Sequence, residues 1–99
     1  MMRGTTPVHT FELPFDTELV SCARVVYAQD EEVVLIKEHD DCILEGNTVT
    51  VHLTQADTLK FNCRKAAQVQ VRIKTTAGEV LASQVERLPV DRCLDGEVL

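Results

Sequence analysis

An all-β sandwich is the fold this chain predicts, and three observations predict it. Apolar and polar residues alternate through several segments, the period-two signature of strands with one buried and one wet face. Turn signals recur about every eight to twelve residues, the spacing of small sandwiches and barrels. With three Phe, one Tyr and no Trp, the core must be built from Val, Leu, Ile and Ala, which suits packed strands.

Val8 to Leu13 reads as a first strand, with His9, Phe11 and Leu13 on one face and Val8, Thr10 and Glu12 on the other. Pro14 ends it, since proline cannot donate to a ladder. Leu19 to Gln29 follows as a second strand. Its apolar residues fall on both faces, which predicts a central strand covered on both sides. Asp30-Glu31 turns the chain into Val33 to Glu38, and Cys42 to Leu44 makes a short strand. Glu45-Gly46-Asn47 is a strong turn signal before Thr48 to Leu53, where Val49, Val51 and Leu53 point inward.

Thr54 with an acid three residues later is a capped helical start. It predicts one helical turn over Thr54 to Leu59, the only helix expected. The clearest stretch is Lys65 to Arg87. There Ala67, Val69, Val71 and Ile73 alternate with Gln68, Gln70, Arg72 and Lys74, and Thr75-Thr76-Ala77-Gly78-Glu79 turns the chain. Val80 to Arg87 returns as a strand, which Leu88-Pro89-Val90 extends along an edge. The expected core is Phe11, Val25, Leu35, Val49, Val51, Leu53, Leu59, Val69, Val71 and Ile73.

Together these elements predict a single domain over residues 1–99, an immunoglobulin-like β-sandwich of about seven strands. A small β-barrel has the same inward residues and stays open as the alternative. Residues 91–99 are acidic, contain Gly96 and are expected to form a flexible tail.

The net charge of −6, with ten scattered basic residues, argues against nucleic acid as a partner. The acidic stretches Asp30-Glu31-Glu32 and Asp40-Asp41 read as solvated turns, because the order of a calcium loop is missing. No run of about 18 apolar residues is present, so no membrane span is expected. The first residues lack the apolar core of a signal peptide, so a cytoplasmic chain is expected.

Reduced thiols are therefore expected for Cys22, Cys42, Cys63 and Cys93. No pair has the spacing of a zinc knuckle or redox site, and His9, His39 and His52 stand in no nucleophile or ligand pattern. His52 reads as a solvated strand residue. A Cys22–Cys63 bridge between the second and sixth strands stays open as a second possibility, closing a long loop. No catalytic, cofactor-binding or metal-binding residue is assigned, and no cofactor is expected.

Several segments carry a resemblance. Thr5-Thr6-Pro7-x-His9-Thr10-Phe11, Leu13-Pro14-Phe15-Asp16, Leu44-Glu45-Gly46-Asn47-Thr48, Leu53-Thr54-Gln55 and Arg92-Cys93-Leu94-Asp95-Gly96-Glu97-Val98-Leu99 resemble short proteins encoded in prophages of gut Firmicutes, among tail-module genes. The chain more weakly resembles the N-terminal immunoglobulin-like domain of phage baseplate upper proteins. The resemblance implies a structural or interaction module without enzymatic activity. Its expected partners are other phage tail or baseplate proteins, or further copies of itself, and its expected place is the bacterial cytoplasm and then the virion. A carbohydrate- or cell-surface-binding module is the alternative.

Overall fold

The computed structural model describes residues Met1–Leu99. Eight strands form two antiparallel sheets. The first contains β1 (Val8–Glu12), β4 (Cys42–Glu45) and β5 (Thr48–His52), in the order β1-β5-β4. The second contains β2 (Val20–Gln29), β3 (Glu32–Lys37) and β6 (Ala67–Thr75), followed on the far side of β6 by β7 (Val80–Ala82) and β8 (Glu86–Leu88).

The chain changes sheet three times, and each crossing is a short capped helical turn. Between β1 and β2, Asp16 accepts a hydrogen bond from the Glu18 amide and starts a 3₁₀ turn over Thr17–Leu19. Between β3 and β4, the Asp41 carboxylate accepts from the Glu38 amide and caps the 3₁₀ turn His39–Asp41. Between β5 and β6, Thr54 caps α1 (Gln55–Leu59), with Asp57 reaching back to the Thr54 amide. The caps satisfy amides that have no partner inside so short a turn. The last crossing lies where the sequence predicts helix; the two 3₁₀ turns add helix that the sequence reading does not contain.

Sheet order settles the choice between sandwich and barrel. Orders β1-β5-β4 and β3-β2-β6-β7/β8 match strands B-E-D and C′-C-F-G of an immunoglobulin variable-type sandwich. The position of the first strand, A, is almost empty. Only Met2 pairs there, in an isolated parallel bridge to Asp91.

The core lies between the sheets. Val49, Val51 and Leu53 face Ala23, Val25, Tyr27, Val69, Val71 and Ile73, with Phe61, Ala67, Leu35 and Val90 closing the sides. Two expected core members, Phe11 and Leu59, are half-buried instead. Strand β2 is central but is covered on one face only. Ala23, Val25 and Tyr27 are buried, whereas Cys22 is exposed and Val26 and Ala28 half-buried on the outer face.

The return strand after Gly78 differs from expectation. It breaks at Ser83 into β7 and β8, and the pairing slips by one residue between Arg72↔Ala82 and Val69↔Glu86. Ser83 holds the break: its amide donates to the Val71 carbonyl, and its hydroxyl replaces a backbone acceptor for the Val71 amide. Gln70 fixes the same point by donating to the Ser83 carbonyl. Past β8, Val90 turns into the core, and Leu99 is hydrogen-bonded through its backbone to the Gln55 side chain.

Candidate functional site

The most prominent surface feature is the seam between the two edge strands β1 and β7–β8, which belong to opposite sheets. Three adjoining depressions of about 300, 130 and 250 Å³ run along it. They share Leu13 and Ser83 at one junction and Phe11 and Glu86 at the other, so they form one groove. Its floor is Val69, Val71 and Ile73 of β6, and its lips include Phe15, Leu81 and Leu88. Among exposed apolar side chains, Val8, Val80, Leu81 and Val85 all lie on β1, β7 or the β7–β8 link.

Backbone alternation gives the lips their chemistry. Leu53 donates to the Pro7 carbonyl and Leu13 to that of Asn47, so the odd-numbered residues of β1 bond to β5. The amides and carbonyls of Val8, Thr10 and Glu12 consequently point away from the sheet. On the other lip, Ser83 bonds to Val71 and Thr75 to Glu79, which turns the backbone groups of Val80 and Ala82 outward. The one-residue slip at Ser83 reverses the parity and turns Arg87 outward. Strands β1 and β7–β8 are thus edges of their sheets and flank one groove.

A second cluster is internal and polar. The Tyr27 side chain is 0% exposed, and its hydroxyl lies 2.6 Å from His9 Nδ1. Burial raises the Tyr27 pKa, with the Cys42 and Asp57 charges adding to it. Burial lowers that of His9, helped by the N-terminal ammonium. The pair is therefore a neutral phenol hydrogen-bonded to a neutral imidazole. Phe61 packs edge-on against Tyr27, with ring centroids 5.9 Å apart.

Beside them Lys37 Nζ lies 2.7 Å from Asp57 Oδ2, and each side chain is 12% exposed. Burial alone would raise the Asp57 pKa, but the Lys37 ammonium and the Thr54 amide and hydroxyl hold it below the usual carboxylate value. This pair pins α1 of one crossing to β3 of the opposite sheet. Gln29 does similar work at the end of β2: its side-chain amide donates to the Asn62 and Lys65 carbonyls and accepts from the Asn62 amide. These groups tie crossings to sheets, a structural role that their spacing in the sequence does not reveal.

The remaining cysteines and histidines are dispersed, and no three His, Cys, Asp or Glu side chains gather as a metal-ligand set. His39 Nδ1 accepts from the Ala23 amide, and His52 is exposed on β5. The Cys42 thiol donates to the Glu38 carbonyl, and burial, with the neighbouring Asp41 charge, pushes its pKa up to about 11. All four cysteines are free. The Cys22–Cys63 bridge is ruled out by geometry. Cys63 follows Asn62, which is held against Gln29, while Cys22 lies seven residues back along β2. At about 3.3 Å per residue that is roughly 23 Å, against the ~7 Å limit between bridged Cα atoms.

No helix is long and apolar enough to cross a membrane. No protein-family model matches the chain, and no curated protein matches it in sequence. Among solved structures it is similar to the V domain of amphioxus IgVJ-C2, with 91% of this chain and 96% of that one covered, 13% identity and a TM-score of 0.36. The strand order carries the fold assignment by itself: the chain is an immunoglobulin-like β-sandwich whose first-strand position holds only the isolated Met2 bridge.

Proposed function

We propose that this protein is a non-enzymatic interaction module of a phage tail or baseplate, working through its sheet edges. One observation carries the reading: two edge strands from opposite sheets, with outward backbone groups, flank one apolar groove. Edges of this kind are where sheets accept neighbours. The resemblance of the Thr5 to Phe11, Leu44 to Thr48 and Arg92 to Leu99 segments to prophage tail-module proteins supplies the context. Its partners are then other tail proteins, and its place is the cytoplasm before assembly and the particle afterwards. A sugar-binding role would call for an exposed aromatic platform, and the buried ring of Tyr27 favours the assembly reading over it.

The test is mass spectrometry of purified particles and tail intermediates from an induced prophage that carries this gene. The protein is expected in a fixed ratio to a tail component. Its absence from particles and intermediates alike would remove the reading.

A further inference from the structure

The first residues of the chain pair along one end of this groove. Met1 N donates to the Pro89 carbonyl at 2.7 Å, the Asp91 amide to the Met1 carbonyl at 2.6 Å, and the Arg3 amide to the Asp91 carbonyl at 3.1 Å. These three bonds are one repeat of a parallel ladder. It engages the outward-facing residues that follow β8, at positions 89 and 91. The next outward residue back along the same edge is Arg87, beside the groove. A strand lying in the groove parallel to β8 would continue that ladder in register.

From this geometry we infer that the groove takes one extended segment of another protein, added at the first-strand position beside β8. The inference rests on the edge-docking reading above and specifies its occupant. The segment runs parallel to β8, with alternate apolar side chains packed onto Phe11, Leu13, Val71 and Leu81. Backbone groups set its extended form, because the lips offer amides and carbonyls at a strand's repeat. Charge sets its composition. Glu12 and Glu86 line the middle of the groove, Arg87 lies at one end, and the whole chain carries −6. A basic segment complements this surface, whereas a second copy of the chain would bring a further net charge of −6.

Selection from a random library of peptides about nine residues long, on the intact chain, tests this. Enriched peptides should alternate apolar residues with Lys or Arg, and their binding should weaken as salt is raised. They should slow amide exchange at Arg87 at least tenfold. Two variants report on the site. Arg87→Pro removes the outward donor, which has no partner within the sheet, and should reduce binding at least tenfold. Leu81→Gln leaves the backbone intact, replaces a side chain 41% exposed, and should reduce binding at least fivefold. If Arg87→Pro does not fold, Leu81→Gln decides alone.

No enrichment, enriched peptides without alternation, or binding indifferent to Leu81→Gln would overturn the inference. So would a dimer of the chain that protects Arg87 in place of peptide. The protein's presence in particles alongside any of these results would leave the assembly role standing and remove only this occupant.

Discussion

Replacing Asp57 with alanine perturbs two structural ties at once, and their sizes can be worked out separately. The Asp57 carboxylate accepts from the Thr54 amide at 2.9 Å, the return half of the α1 cap. Losing a cap interaction costs about 1 kcal/mol. The same carboxylate neutralises Lys37, whose side chain is 12% exposed. Breaking a fully buried pair by removing one partner costs about 3–5 kcal/mol, and partial access to water here reduces this to roughly 1–2. The expected loss is about 2–3 kcal/mol. In urea, with a slope of about 1.5 kcal/mol/M for a domain this size, the midpoint should fall by roughly 1.5–2 M.

Lys37→Met separates the two contributions. It removes the stranded charge but leaves the cap intact, so the double variant should recover about 1–2 kcal/mol relative to additivity. The pH dependence has a defined sign. The Asp57 carboxyl titrates below its unfolded value, so its contribution is complete above about pH 4–5 and is lost as pH falls through the folded value. The difference between parent and Asp57→Ala should therefore be flat near neutrality and shrink in acid. A midpoint shift under about 0.5 M, or strict additivity with Lys37→Met, would refute the view that this pair holds α1 to β3.

Four further outcomes are expected. Glu31 takes φ +65° in the two-residue turn between β2 and β3, a conformation that costs a side chain more than it costs glycine, so Glu31→Gly should raise stability by about 0.5–1 kcal/mol in urea melts. Val71→Ala empties a site only 2% exposed and should cost about 1–3 kcal/mol, with exposed Arg72→Ala as the near-silent control; Gln70 is unsuitable for that control because it bonds to Ser83. His9 is held neutral by burial, so parent stability should fall as pH drops below about 6.5, and His9→Gln should flatten that slope. Thiol titration of denatured, unreduced protein should find four free cysteines, and in the native protein exposed Cys22 should react well before Cys42.

The alternation rule carried most of the architecture because it depends on a residue and its immediate neighbours. Val69, Val71 and Ile73 had to share a face, and Gly46 and Gly78, both at positive φ, had to turn the chain. The cap at Thr54 was legible for the same reason, since donor and acceptor lie three residues apart. What escaped depends on partners distant in sequence. Tyr27 meets His9 only once β1 and β2 lie in facing sheets, and Lys37 meets Asp57 only after the third crossing. Ser83 breaks the last strand because its hydroxyl faces the Val71 amide, and nothing in the run Val80 to Arg87 distinguishes it from a continuous strand. Strands β1 and β7–β8 are edges of their sheets. That they share one groove follows from sheet order alone.

An open groove is a hazard for a free protein, because an unpaired edge invites other edges indiscriminately. This chain limits the hazard with features that also define a partner. The slip at Ser83 divides that lip into β7 and β8, three residues each, so no long continuous strand is presented there. Glu12 and Glu86 put like charges where a second copy would approach, and the Met1 to Arg3 ladder occupies one end of the seam. A flat acidic strand is rejected by each of these, but a short basic segment entering from the Pro14 end is opposed by none. On the inference drawn above, the features that oppose self-pairing also narrow the occupants to a segment of opposite charge and limited length, which is how a site made only of edges would become selective.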